Sequence, residues 1–228
     1  MTETLLLALV LLPGLIMAIV FHEVAHGWMA LMLGDPTAKE RRRLSLNPLR
    51  HVDPVGTVLL PGGLALAGLP VFGWAKPVPV NKNRLDNPRF GMMAVAAAGP
   101  GTNLLLAALA AVALGLIAGA VTVEPQDGLL LLISGLQYFL LVNIFLALFN
   151  LLPIPPFDGS HILEGLLPER AARIYERLRP YGFPLLFLLL LVVPWLFPGL
   201  GIVEKVVLPP VEWLRGHYVA LAVLVAGA

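Results

Sequence analysis

Apolar stretches of about 20 residues or more recur along this chain, and a stretch of that length is what crosses a bilayer core as a helix. They run over residues 5–33, 92–121 and 129–150, with a shorter one at 183–198. Of 228 residues, 58% are hydrophobic and 13% charged, where a soluble domain has roughly half and a quarter. The sequence therefore predicts an all-α polytopic membrane protein, a bundle of about five or six transmembrane helices. It predicts one integral membrane domain over 1–228, with a core at about 5–180 and C-terminal helices at about 181–228. The N-terminus has no basic n-region and no small-residue cleavage site, so it reads as a retained first span.

Breaks in the apolar pattern carry further expectations. Pro13 should kink the first span. Residues 54–73 are apolar but interrupted by Pro61, Gly62 and Gly63, which suits a re-entrant hairpin or an in-plane segment. The segment after Pro209 is short and apolar, a half-span or an interfacial helix. Residues 164–180 are charged and amphipathic.

Thirteen of the fifteen Lys and Arg residues fall in three regions, five in 35–53, four in 74–90 and four in 164–180, and none lies in the 120–128 turn, which carries Glu124 and Asp127. The positive-inside rule places the first three regions in the cytosol and that turn outside, which also puts the N-terminus outside. The Arg41–Arg43 run reads as an orientation signal at lipid headgroups. A net charge of +1 argues against a nucleic-acid binder. With no cysteine, there is neither a disulfide nor a thiolate metal site, so any metal must be held by His, Asp, Glu or water.

Of fourteen acidic residues, two stand apart: Glu23 inside the first span and Asp158 directly after a proline break. An ionised side chain within a span costs about 2.5–3.5 kcal/mol on insertion scales and marks function by default. No Lys or Arg lies in the same span to neutralise Glu23, whereas a metal cation would. His22-Glu23-Val24-Ala25-His26 is an H-E-x-x-H motif. On a helix, positions i and i+4 share one face, so both imidazoles can meet one ion, with Glu23 beside it as general base toward a water at the metal. A catalytic zinc takes three protein ligands and keeps an open position. The places where the extended soluble motif continues hold Met29 and Met32, which leaves Asp158 as the third candidate. Pro153, Pro155 and Pro156 cannot sit in a helix interior, so the chain must unwind there, and irregular backbone at that depth lines a cavity. His22, His26 and Asp158 then reach the same, cytosolic-side leaflet.

His-Glu-Val-Ala-His at 22–26 and Asn-Leu-Leu-Pro-Ile-Pro-Pro-Phe-Asp-Gly at 150–159 together resemble the site-2 protease family of intramembrane zinc metalloproteases. The Ala98-Gly-Pro-Gly-Thr-Asn103 stretch adds to a likeness covering most of 15–180. The resemblance implies a zinc-dependent metalloendopeptidase with one Zn2+ per chain on His22, His26 and Asp158, Glu23 activating water, and Asn150 holding substrate or the oxyanion. Locally, Asn150 fits a helix C-cap equally well. The likeness is to compact bacterial and archaeal members without PDZ or CBS domains. It implies a cell-membrane enzyme of regulated intramembrane proteolysis, with the lipid bilayer around it and transmembrane-helix proteins as substrates. Ser160-His161 departs from the more usual Gly-Arg, so His161 is an extra polar contact near the metal or a bystander.

A cleaved helix must first unwind. Pro77 and Pro79 place their missing donors on one edge of an extended segment, and the donors of Val78 and Val80 lie on the other. That edge could pair with substrate, or the segment could be a rigid connector. Gly99 and Gly101 read as helix-packing positions, and Asn103 and Asn143 as interhelical hydrogen bonds. The rival function is a metal-handling membrane transporter or a non-catalytic metal-binding protein. A transporter predicts several intramembrane carboxylates along a path, and this chain offers two at one depth.

Overall fold

A computed structural model describes residues 2–68, 73–121, 126–197, 201 and 203–227. Every regular element among them is helical: α1 (Thr2–Met32), α2 (Thr37–Glu40), α3 (Leu60–Leu66), α4 (Pro88–Ala120), α5 (Asp127–Asn150), α6 (Asp158–Leu166), α7 (Glu169–Glu176), α8 (Gly182–Phe187), α9 (Val193–Leu196) and α10 (Leu208–Ala226). Glu124, the end of the 54–73 segment and the end of the 183–198 stretch lie outside the described residues.

Three helical segments are long and apolar enough to cross a membrane: Leu11–Met32, Pro88–Ala120 and Gly128–Asn150. They are the three long stretches of the sequence pattern. Pro13 lies within α1 and Pro100 within α4, and neither ends its helix. The stretch at 183–198 becomes α8, a π-helical turn over Leu188–Val192 and α9, a run too short among the described residues to count as a span. After Leu208 the chain forms a 19-residue helix, longer than a half-span.

The expected break at Pro61-Gly62-Gly63 is not where the chain breaks. A π-helical segment over Pro54–Leu59 passes directly into α3, which runs through all three residues. Asp53 starts this run by accepting from the amides of Val55 and Gly56 at 3.0 and 2.7 Å. The change of helical register falls beside Pro61, in the first turn of α3, where a missing N–H costs least.

The chain divides into two compact units, one of Met1–Ala18, Pro100–Asn150 and Ile202–Ala228, the other of Ile19–Gly99 and Leu151–Gly201. In the first, α10 packs on α5. Asn103 and Asn143, both fully buried, act as the expected interhelical clasp. Asn103 Nδ2 donates to Asn143 Oδ1 at 2.8 Å and to the Ala18 carbonyl at 3.2 Å.

The second unit is organised around the end of α1. Gly34 adopts φ 97°, and the amides of Gly34 and Asp35 return to the carbonyls of Leu31 and Ala30 at 3.3 and 2.9 Å. This is a Schellman cap, which needs a left-handed residue at that place. A side chain there would also meet Asp86 Oδ1, at 2.7 Å from an added Cβ. Asp35 follows, fully buried. Its Oδ1 accepts from the Thr37 amide at 3.0 Å and from the Thr37 hydroxyl, and its Oδ2 accepts from the Asn81 amide at 2.6 Å. One carboxylate thereby ties the end of α1 to the start of α2 and to the 74–81 connector.

A second such turn ends α2. Arg42 takes φ 54°, while the amides of Arg42 and Arg43 return to the carbonyls of Lys39 and Ala38 at 2.9 and 2.8 Å. It separates the arginine run: Arg41 and Arg42 are exposed, and Arg43 is buried.

Burial pushes the Asp35 carboxyl up, but the hydrogen bonds from Thr37 and Asn81, with the nearby Arg84 cation, carry it below its usual value. A depressed carboxylate contributes stability above its unfolded pKa of about 3.9 and loses it as pH falls through the folded value. Asp35→Ala should cost about 1–3 kcal/mol in denaturant unfolding in detergent at pH 7. The cost should shrink when unfolding is measured below about pH 4, and a loss independent of pH would contradict this role.

Candidate metal centre

His22 and His26 lie one helical turn apart on α1, 7% and 8% exposed. Asp158 opens α6, immediately after the proline-rich segment, where the chain leaves helix for a series of turns over 151–157. Those turns are closed by the amides of Ile154 and Phe157, which donate to the carbonyls of Leu152 and Ile154 at 2.8 and 3.0 Å. The unwinding expected at the prolines is present, and it delivers Asp158 to the two histidines.

The Nε2 atoms of His22 and His26 are 3.0 Å apart, and Asp158 Oδ2 lies 3.0 Å from the first and 3.3 Å from the second. In a tetrahedral zinc site with ligand bonds of about 2.0–2.1 Å, the ligand atoms stand about 3.3 Å from one another. The triangle is therefore close to the size such an ion sets. His26 Nδ1 faces the Val95 carbonyl at 2.7 Å. A carbonyl only accepts, so Nδ1 carries the proton and the neutral ring turns a lone pair inward at Nε2, as a metal ligand must. Apart from the two imidazole nitrogens, Asp158 Oδ2 is buried with no hydrogen-bond partner among the described residues. The donor set fits a divalent cation, and no other His, Asp or Glu among the described residues joins this cluster.

Glu23 is not part of the triangle. Its Oε2 accepts the backbone N–H of Val78 at 2.8 Å. At Val78 the connector edge read as available for substrate is thus engaged by the protein itself. Trp74 N–H bonds to the Gly56 carbonyl at 3.1 Å, Lys76 N–H to the His51 carbonyl at 2.8 Å, and Val78 N–H to Glu23. Val80 packs against the cluster of Ala30, Leu85 and Val95. Asn150 closes α5, where its Nδ2 donates to the Leu146 carbonyl at 2.9 Å. This engages one amide hydrogen and leaves a second. His161 stands one turn after Asp158 on α6, and its Nδ1 accepts from Arg179 at 2.9 Å, so that nitrogen is not offered to a metal. Burial and the Arg179 cation hold its pKa below the usual value.

Two residues near the centre were not visible as such in the sequence. Gly99 reads as a packing glycine, yet a Cβ there would sit 2.5 Å from His26 Nε2 and 2.6 Å from His22 Cε1. The other is Arg43, whose burial separates it from the exposed arginines beside it. The Gly99-Pro100 pair inside an otherwise apolar helix was the signal available for the first.

A helical chain with membrane-length apolar segments and a buried two-histidine, one-carboxylate centre is built as a membrane metalloenzyme. The model of Peptidase family M50 matches residues 10–193, and the chain belongs to this family; its resemblance to site-2 proteases is borne out. It is 40% identical over 184 residues to "Putative zinc metalloprotease YwhC" of Bacillus subtilis (strain 168), covering 79% of this chain and 78% of that protein. It is 27% identical over 199 residues to "Putative zinc metalloprotease Rip2" of Mycolicibacterium smegmatis, covering 83% and 70%. The Rip2 of Mycobacterium tuberculosis (strain H37Rv) is 27% identical over 210 residues, covering 85% and 75%. No solved structure matches the chain.

Gly99→Ala should weaken metal affinity by about 10- to 100-fold, the range for disturbing ligand orientation. Alanine favours helix over glycine by about 1 kcal/mol, so poorer helix formation would not explain a loss. Chelator competition measures the affinity, and an unchanged value would show that the two imidazoles tolerate the added methyl.

Proposed function

We propose that this chain is an intramembrane zinc metalloprotease that hydrolyses peptide bonds in or near the transmembrane segments of other membrane proteins, as in regulated intramembrane proteolysis. The observation that carries this reading is the triangle of His22, His26 and Asp158, with Glu23 on the same helical turn as the two histidines. Family membership and zinc-metalloprotease relatives support it. His22, His26 and Asp158 hold one zinc per chain; when bound, zinc supplies Lewis-acid polarisation of the scissile carbonyl and makes water more acidic.

Glu23 takes the proton of the attacking water and returns it to the leaving amine, a transfer worth about 10²–10⁴-fold in rate. The Asn150 amide, which keeps one hydrogen beyond its bond to Leu146, donates to the developing oxyanion. An unwound substrate segment pairs along the connector at Val80, while the Val78 amide stays with Glu23. His161, held by Arg179, stands outside the ligand set. The whole chain, 1–228, acts as one peptidase domain. The chain forms a bundle of about five or six spans, the three long helices among them, and the Pro54–Leu66 run lies re-entrant or in plane. The charge distribution supports an external N-terminus and a site toward the cytosolic side of a prokaryotic cell membrane.

Glu23→Gln tests the reading against metal transport or inert metal binding. With a model transmembrane substrate in detergent, it should keep its zinc and lose cleavage by about a hundredfold or more. Undiminished cleavage would refute the role of Glu23, and a protein without bound metal would refute the site. In the same assay Val80→Pro should slow cleavage at unchanged zinc content, and full activity would remove substrate pairing from the connector.

A further inference from the structure

Arg43 is 9% exposed, which takes it away from the headgroup role its run suggests. Its Nη2 donates to the Lys76 carbonyl at 2.6 Å, and its Nε has no partner among the described residues. Lys76 is gripped from the other side by its own N–H, which donates to the His51 carbonyl at 2.8 Å. Pro77 follows, with φ fixed by its ring, and then Val78 N–H donates to Glu23 Oε2 at 2.8 Å. The guanidinium, the Lys76–Pro77–Val78 backbone and the Glu23 carboxylate thus form one continuous chain of contacts. Asp35 holds the far end of the same connector through the Asn81 amide at 2.6 Å.

Burial lowers the pKa of Arg43, and the negative charge of Glu23 acts in the opposite direction. A guanidinium stays charged at neutral pH wherever it is placed. Burying one against a single carbonyl, with a donor left over, is costly. Here the cost is set against a carboxylate close enough to feel the charge and a backbone segment that reaches it.

We propose that Arg43 is a positioning residue for Glu23, acting through the Lys76–Val78 segment to hold the carboxylate in one orientation. The inference rests on the reading of Glu23 as proton acceptor. It supplies a role for the connector distinct from substrate pairing: Val78 N–H restrains the carboxylate, and Arg43 restrains Val78. Arg43 is in neither the ligand triangle nor its Val95 support, so the metal should be bound equally well without it.

The test compares full-length Arg43→Gln and Arg43→Lys with the unsubstituted protein. Hydrogen exchange in metal-free protein reads the contact directly. Between Lys76 and Val80 only Lys76, Val78 and Val80 carry amide hydrogens, because 77 and 79 are prolines. Exchange at Val78 should quicken by about tenfold in Arg43→Gln, as expected when a restraining contact is lost. In zinc-loaded protein kcat should fall by about tenfold or more, with KM unchanged and one zinc per chain, since misplacing a reacting group by about 1 Å costs up to about 10²-fold. Arg43→Lys, which keeps a donor for the Lys76 carbonyl, should recover part of both effects. Unchanged exchange and unchanged kcat in Arg43→Gln would overturn the proposal, as would a loss traced wholly to zinc content or KM. If Arg43→Gln does not fold, Arg43→Lys decides alone: a kcat and a Val78 exchange rate both equal to the unsubstituted values overturn it. Should Glu23→Gln still cleave, the general-base reading falls, while the exchange experiment still reports whether Arg43 restrains Val78.

Discussion

Two imidazole nitrogens and a carboxylate oxygen, buried and within 3.0–3.3 Å of one another, present mainly lone pairs to a single point. Electron-rich atoms do not gather in this way without positive charge to share. The Val95 carbonyl holds the Nδ1 proton of His26, so the neutral ring directs its Nε2 lone pair into the triangle. Much of the surrounding architecture serves that convergence: the turn spacing on α1, the unwound segment that brings Asp158 in, and the glycine at 99 that leaves room for both rings.

The frame that holds the centre is polar at its joints and apolar between them. The Schellman cap at Gly34 stops α1, Asp35 fastens its end to the connector, and the connector reaches back to Glu23 through Val78. The Asp35 carboxylate is fully buried, where a hydrogen bond lost leaves a group unsatisfied at about 1–3 kcal/mol. This gives Glu23, beside His22 and His26, a fixed position although the segment touching it has no regular secondary structure.

The site was legible in the sequence where one element carried the information. His22, Glu23 and His26 follow from helical spacing, and Asp158 from prolines that forbid a helix where an acid immediately follows. The long helices followed from apolar length alone. What escaped depended on contacts between residues far apart in the chain. Arg43 looks like its neighbours until the turn at Arg42 directs it inward. Gly99 looks like any packing glycine until the rings of α1 lie against it. The donor edge at Val78 is correctly drawn from the prolines, but its partner Glu23 lies 55 positions away. Pro61-Gly62-Gly63 misled for the opposite reason: their local preference for a break is overridden by a π-to-α change of register that places Pro61 in a first turn.

The central claim is that His22, His26 and Asp158 share one zinc ion. X-ray absorption spectroscopy at the zinc edge on the purified, detergent-solubilised protein tests it most directly. The account predicts one zinc per chain, with a first shell of two imidazole nitrogens and carboxylate oxygen at about 2.0–2.2 Å and loss of one imidazole contribution in His26→Ala. A protein without zinc, or a zinc shell unchanged by His26→Ala, would contradict it.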